Sequence, residues 1–170
     1  MSPDTTKKNG ANPKSLMSRK YVKKTLIMSD LEKLPIIRGN GWGGVVLGAT
    51  RENVEIFLSE TGINKSTYES RYFLEYPKYG ILIQYNLADK VNAIFFYNKD
   101  NGYEHMNGFP IKTKENIDWN SSPFEVKEAY GQPYDAFQGI EDNIMWQRLV
   151  YNGADFRFLD RKLVRISIIY

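Results

Sequence analysis

The sequence predicts an α+β protein of two tandem β-α-β-β-β repeats, one helix per repeat, whose strands form a curved antiparallel sheet. Three observations carry this prediction. The stretch "YPKYGILIQYNLADKVNAIFFY", Tyr76 to Tyr97, alternates apolar and polar side chains as a hairpin buried on one face does. The C-terminal "YNGADFRFLDRKLVRISIIY" aligns with it without a gap at a shift of 73, Gly80 on Gly153 and Tyr97 on Tyr170. Each hairpin is preceded by a helix-start signal, "TREN" at Thr50 and "SPFE" at Ser122.

Within that frame Ile81, Ile83 and Tyr85 meet Ala154, Phe156 and Phe158, while Val91, Ala93, Phe95 and Tyr97 meet Val164, Ile166, Ile168 and Tyr170. All are period-2 positions, so both copies keep one face apolar. The opposite face is then Leu82, Gln84, Lys90, Asn92, Ile94 and Phe96 in the first repeat. In the second it is Asp155, Arg157, Leu163, Arg165, Ser167 and Ile169.

Upstream the match continues with small gaps. "LPI" at Leu34 faces "FPI" at Phe109, and Val45 and Leu47 face Ile117 and Trp119. Ser122, Pro123 and Glu125 make a capping box with proline at the first helical position. Val54, Phe57 and Leu58, matched by Val126, Ala129 and Tyr130, give each helix a buried face, and Gly62 and Gly131 are its expected terminators. The strand after each helix is "RYFLEY" or "IMWQRLVY". The chain then divides into a basic tail over 1–33, repeat 1 over 34–97, a linker over 98–108 with turn signals at Asp100–Gly102 and Asn107–Gly108, and repeat 2 over 109–170.

The charge is unevenly placed. Residues 1–33 hold eight Lys/Arg and three Asp/Glu, whereas 34–170 hold 15 and 17. The positive balance belongs to the tail, whose residues to about 28 are polar, lysine-rich and without apolar periodicity, the composition of a disordered segment. The chain has no cysteine, which excludes disulfides and thiolate metal sites. No run approaches the ~20 apolar residues of a membrane span, and only "TLIM" follows the N-terminal lysines, short of a signal-peptide core. The expectation is a cytoplasmic protein, unless a leader has been removed.

A tandem pair of units of this size, each a short capped helix followed by an antiparallel meander, resembles the β-lactamase inhibitory proteins and the small outer-membrane-assembly lipoproteins. The resemblance rests on "GATRENVEIFLSETG" with "YGILIQY" and "VNAIFFY", and on "SSPFEVKEAYGQP" with "GADFRF" and "LVRISIIY". It spans most of residues 43–170 and implies the tandem fold; it supplies no site residues.

Catalysis finds no positive support in the sequence. The one histidine, His105, lies in the Gly/Asn-rich linker, no metal-ligand spacing or nucleophile elbow occurs, and no cofactor motif is present. Glu52, Glu55, Glu125 and Glu128 sit near helix N-termini, where the macrodipole accounts for them. "RGNGWGG", Arg38 to Gly44, lacks the spacing of a phosphate loop. Trp42 within it either folds back on the core or serves as an exposed aromatic for a partner's pocket. The apolar outer face of repeat 1, carrying Ile94 and Phe96 beside Gln84 and Asn92, is a candidate interaction surface, with Arg157 and Arg165 as its polar end.

The function expected is a non-enzymatic protein-binding or inhibitory, immunity-type module acting through an exposed sheet face. The alternative is a small-ligand binder or enzyme with a pocket between the repeats. The expected partner is another protein, with self-association and, further back, nucleic acid on the basic tail as other outcomes. A chain starting at Ser29 should melt at nearly the temperature of the full chain; a large loss of stability on truncation would mean that the tail packs on the domain.

Overall fold

The computed structural model describes residues 33–99, 106–110 and 112–170; residues 1–32 of the tail, His105 and Ile111 lie outside them. A two-residue hairpin, β1 (Gly41–Trp42) and β2 (Val45–Val46), precedes helix α1 (Arg51–Leu58). Four strands follow: β3 (Ile63–Tyr68), β4 (Arg71–Tyr76), β5 (Ile81–Asn86) and β6 (Val91–Tyr97). Helix α2 (Pro123–Tyr130) is likewise followed by β7 (Asp135–Glu141), β8 (Ile144–Tyr151), β9 (Ala154–Leu159) and β10 (Lys162–Ile169). The expected β-α-β-β-β order is therefore corrected. Each helix leads a meander of four strands, and no strand lies between β6 and α2 among the described residues.

All eight long strands share one antiparallel sheet in the order β3-β4-β5-β6-β10-β9-β8-β7. The halves meet where the last strand of each lies beside the other, Arg165 opposite Tyr97 through Ile169 opposite Ala93. The strands missing from the expectation are the two edges, β3 and β7. Edge strands bond on one side only, and every residue of β7 but Gly139 is exposed, so neither needed a strong apolar alternation.

Both helices start where their sequences say. Thr50 Oγ1 accepts from the Asn53 N–H at 3.3 Å. Ser122 and Glu125 form the full box: the Ser122 N–H donates to Glu125 Oε2 at 2.7 Å and the Glu125 N–H to Ser122 Oγ at 3.3 Å. The Ser122 N–H and the Ser122 hydroxyl, both donating to the Glu125 carboxylate, hold it below its ordinary range. Gly131 ends α2, but α1 ends on Ser59 in the left-handed region (φ 51°), not on Gly62. The helices bury Val54, Leu58 and Val126; Ala129 is exposed.

The face assignment of the two central strands needs a larger correction. Gln84 pairs with Ala93 but Tyr85 pairs with Val91, which leaves Asn92 as an extra residue in β6. In β10, Leu163 pairs with Phe158 and Arg165 with Arg157, which leaves Val164 extra. A bulge of this kind moves every later side chain to the other face. Beyond Asn92 the core side is therefore Ile94 and Phe96, each fully buried, and Ala93, Phe95 and Tyr97 turn to the opposite side. Leu163, placed outside by the alternation, is also in the core. Measured between matched pairs, the second hairpin's connection is one residue shorter: five residues separate Tyr85 from its partner Val91, and four separate Phe158 from its partner Leu163. The matched core positions are thus 73 apart in the first strand of each hairpin and 72 apart in the second, and the bulges coincide in that second frame.

The single core cluster lies between the helices and this inner face. It holds Ile81, Ile83 and Tyr85 from β5, Phe156 and Phe158 from β9, and Ile166 and Ile168 from β10. The segments leading into the two halves also enter it and lie side by side in a parallel bridge: the Ile36 N–H donates to Lys112 O at 3.1 Å and the Lys114 N–H to Ile36 O at 2.9 Å, with Ile36 and Phe109 buried. Among the described residues no helix is long and apolar enough to cross a membrane.

Phe96→Ala should lose about 3–5 kcal/mol in urea unfolding, as large-to-small core changes do. Phe95→Ala, one residue away, should lose far less. Equal losses, or the reverse order, would contradict the bulge at Asn92.

Candidate functional site

A first place to look is an open depression of about 760 Å³ beside the N-terminus of α1, lined by residues that include Arg51, Glu55 and Asp89. Its polar groups satisfy one another. Arg51 Nε donates to Glu55 Oε1 at 2.9 Å, and the Tyr72 hydroxyl donates to Asp89 Oδ1 at 2.5 Å. Below it Tyr76 and Tyr85 share a hydroxyl–hydroxyl bond of 2.8 Å. Burial pushes the Tyr72 and Tyr76 phenols up to about 12 and Tyr85 higher still, so all three stay protonated as hydrogen-bonding core residues. This chemistry is structural. Among the described residues no group of three His, Asp or Glu side chains is placed to hold a metal ion.

The other face of the sheet differs in kind. Both helices pack on the inner face, and Phe73, Leu82, Phe95, Trp146 and Val150 on the opposite, open face lie outside the core cluster. Register arranges this face in rows. One runs Phe137, Arg148, Arg157, Arg165 and Tyr97 across five strands, each residue directly opposite the next. The next runs Leu82, Phe95, Ser167, Asp155 and Val150. Three arginines on adjacent strands are thus mutually opposed, an arrangement that is unfavourable without compensation.

Asp155 supplies part of that compensation. It is 1% exposed, accepts from Arg148 Nε at 2.5 Å, and lies 3.9 Å from an Arg165 terminal nitrogen. Arg165 also lies over the Phe95 ring, its guanidinium carbon 5.5 Å from the centroid, and Phe95 packs on Phe73 at 6.4 Å. Arg157, between the other two, makes no ion pair with a carboxylate among the described residues. Asp155 Oδ1, Arg165 Nε and Ser167 Oγ are buried without a hydrogen-bond partner there. Toward the hairpin tip Trp146 covers Gly139, where an added Cβ would come within 2.8 Å of the indole nitrogen. Trp146, Leu159, Ile144 and Arg157 line a depression of about 170 Å³ with Glu141 and Asp142.

The residues singled out from the sequence divide between the faces. Gln84, Arg157 and Arg165 stand on the face opposite the core; Gln84 is buried there, and the two arginines are half-buried direct neighbours. Ile94 and Phe96 are in the core for the reason given above. Asn92 is the extra residue of the bulge, half-buried. Trp42 is 2% exposed and packs edge-on against Phe109 at 4.6 Å and Phe57 at 5.7 Å. Its glycines explain the inward turn: Gly43 has φ +55°, and a Cβ there would meet the Phe57 ring at 2.6 Å. Asp155 and Ser167 were placed opposite the core correctly. Arg148, Trp146, Phe95 and Tyr97 were missed as members of the face, because only cross-strand register brings them together.

Comparison of the chain with protein-family models, curated proteins and solved structures returns no match.

Asp155→Ala removes the buried carboxylate beside the arginine row and should cost about 1.5–3 kcal/mol, the range for hydrogen bonds to charged groups. The loss should shrink as salt rises toward 1 M, where the screening length falls to about 3 Å and the arginines repel less. A salt-independent loss would mean that Asp155 acts by packing alone.

Proposed function

We propose that this chain is a non-enzymatic protein-binding module that receives its partner on the open face of the sheet. The observation that carries the reading is the composition of that face. Phe73, Phe95, Trp146 and three arginines, all half-buried, stand together on one side of the sheet, and aromatic residues and Arg are the residue types that anchor protein interfaces. A small inhibitor or immunity-type factor of the cell interior is the form that fits the size and the near-neutral charge of residues 34–170. The resemblance to the β-lactamase inhibitory proteins points the same way. In this reading the halves are duplicated units. Both have the order of a helix and four strands, and their bulges at Asn92 and Val164 are equivalent.

Photo-crosslinking in cells of the source organism tests it. A benzophenone amino acid in place of Phe95 or Trp146 should give discrete protein adducts, and the same group in place of Ile56, exposed on α1, should not. Trp146→Ala should weaken capture of the adduct's protein roughly 30-fold, the effect of losing an anchor worth about 2 kcal/mol. Adducts from position 56 alone would place the interaction on the helical side and sink the proposal.

A further inference from the structure

We infer that the arginine row reads a carboxylate on an extended segment of the partner protein, with Arg157 as the receiving group and Trp146 holding the apolar side chain beside it. The inference rests on the open face being the docking surface and adds the chemistry of what docks.

The first argument is local charge. Arg148, Arg157 and Arg165 are directly opposed on three neighbouring strands, and one carboxylate, Asp155, stands with them. Asp155 is committed to the outer two, and Arg157 has no carboxylate partner among the described residues. Like charges facing one another across a sheet cost stability, so the surplus calls for a reason outside the fold. An incoming carboxylate over Arg157 would complete the alternation of sign, and a guanidinium accepts it in a two-point geometry that a lysine lacks.

The second argument is what surrounds the row. Trp146 and Leu159 lie on the tip side of Arg157, around the depression of about 170 Å³, a volume comparable to a cavity that accepts a benzene ring. Glu141 and Asp142 rim its far end. An acidic side chain is repelled there and attracted toward β10, which orients the segment: apolar residue over Trp146, acid over Arg157.

The third argument concerns size. Three strands at about 4.8 Å spacing give a positive stretch of roughly 10 Å. Acids flank it, with Glu141 and Asp142 at the tip and Asp135, on edge strand β7, at the end of the adjacent row. A nucleic-acid strand needs a continuous basic track and would meet these acids. A protein segment with a single well-placed acid does not.

The test titrates the full chain and reads the Arg157 Nε–H and Trp146 indole N–H resonances. Three probes are compared: a short capped peptide of leucine and serine with one central glutamate, the same peptide with glutamine, and a short oligothymidine. The glutamate peptide should shift both resonances saturably and bind at least tenfold more tightly than the glutamine peptide. Arg157→Gln should abolish that preference without lowering the melting temperature, and Arg157→Glu should transfer it to the matching lysine peptide. Equal binding of the two peptides at Trp146 would overturn the carboxylate inference and leave the docking face standing. Tightest binding of oligothymidine would assign the row to nucleic acid. No shift with either peptide overturns the inference, while the crosslinking result judges the docking face independently.

Discussion

The pairing of β6 with β10 is the interaction on which the rest of the structure depends. These are the last strands of the two halves, and their five paired positions turn two four-stranded meanders into one sheet with one core. Because both are central, each is hydrogen-bonded on both sides and its faces cannot be chosen independently of its two neighbours. The bulges at Asn92 and Val164 set that choice. Each sits at the start of a central strand, near the hairpin turn, and fixes which alternate side chains reach the helices.

The consequence for function is direct. With the bulges in place, the inner side of the central pair is Ile94, Phe96, Ile166 and Ile168, a closed apolar layer. The opposite side is Phe95, Tyr97, Arg165 and Ser167, an aromatic and polar mixture continued by Arg157, Arg148 and Trp146. The face proposed above for a partner is therefore a by-product of the constraint that packs the core. Of the large apolar residues that strict alternation puts on the outer face of the first half, Ile94 and Phe96 belong to the interior, and Leu82 stays on the opposite face.

Some of this was legible in the sequence. Helix starts could be read because a cap is a local hydrogen-bond requirement, met at Thr50 and Ser122 by residues within three positions. Gly80 and Gly153 were legible as matched turn positions, and both adopt positive φ. The inward sides of β5 and β9 were correct since nothing interrupts their alternation. The bulges were not legible. Both sides of "VNAIFFY" are apolar enough to serve as the core, so period 2 alone could not decide between them, and the one-residue difference in connection length hid within an ungapped alignment. The arginine row is a product of register between strands far apart in sequence, which no local pattern encodes. The sequence left Trp42 between folding back on the core and serving a partner; the structure takes the first, because its glycines admit the Phe57 ring against the loop.

Thiol reactivity tests the central claim, the inversion at Asn92, most directly, and the absence of cysteine from the chain makes it clean. Single cysteines placed by Phe95→Cys, Phe96→Cys and Ile94→Cys would be labelled in native conditions. The account predicts that the thiol at 95 reacts readily, whereas those at 94 and 96 react only through unfolding, slower by a factor on the order of 10³ or more. Rapid labelling at 94 and 96 with protection at 95 would contradict it, and with it the assignment of the open face.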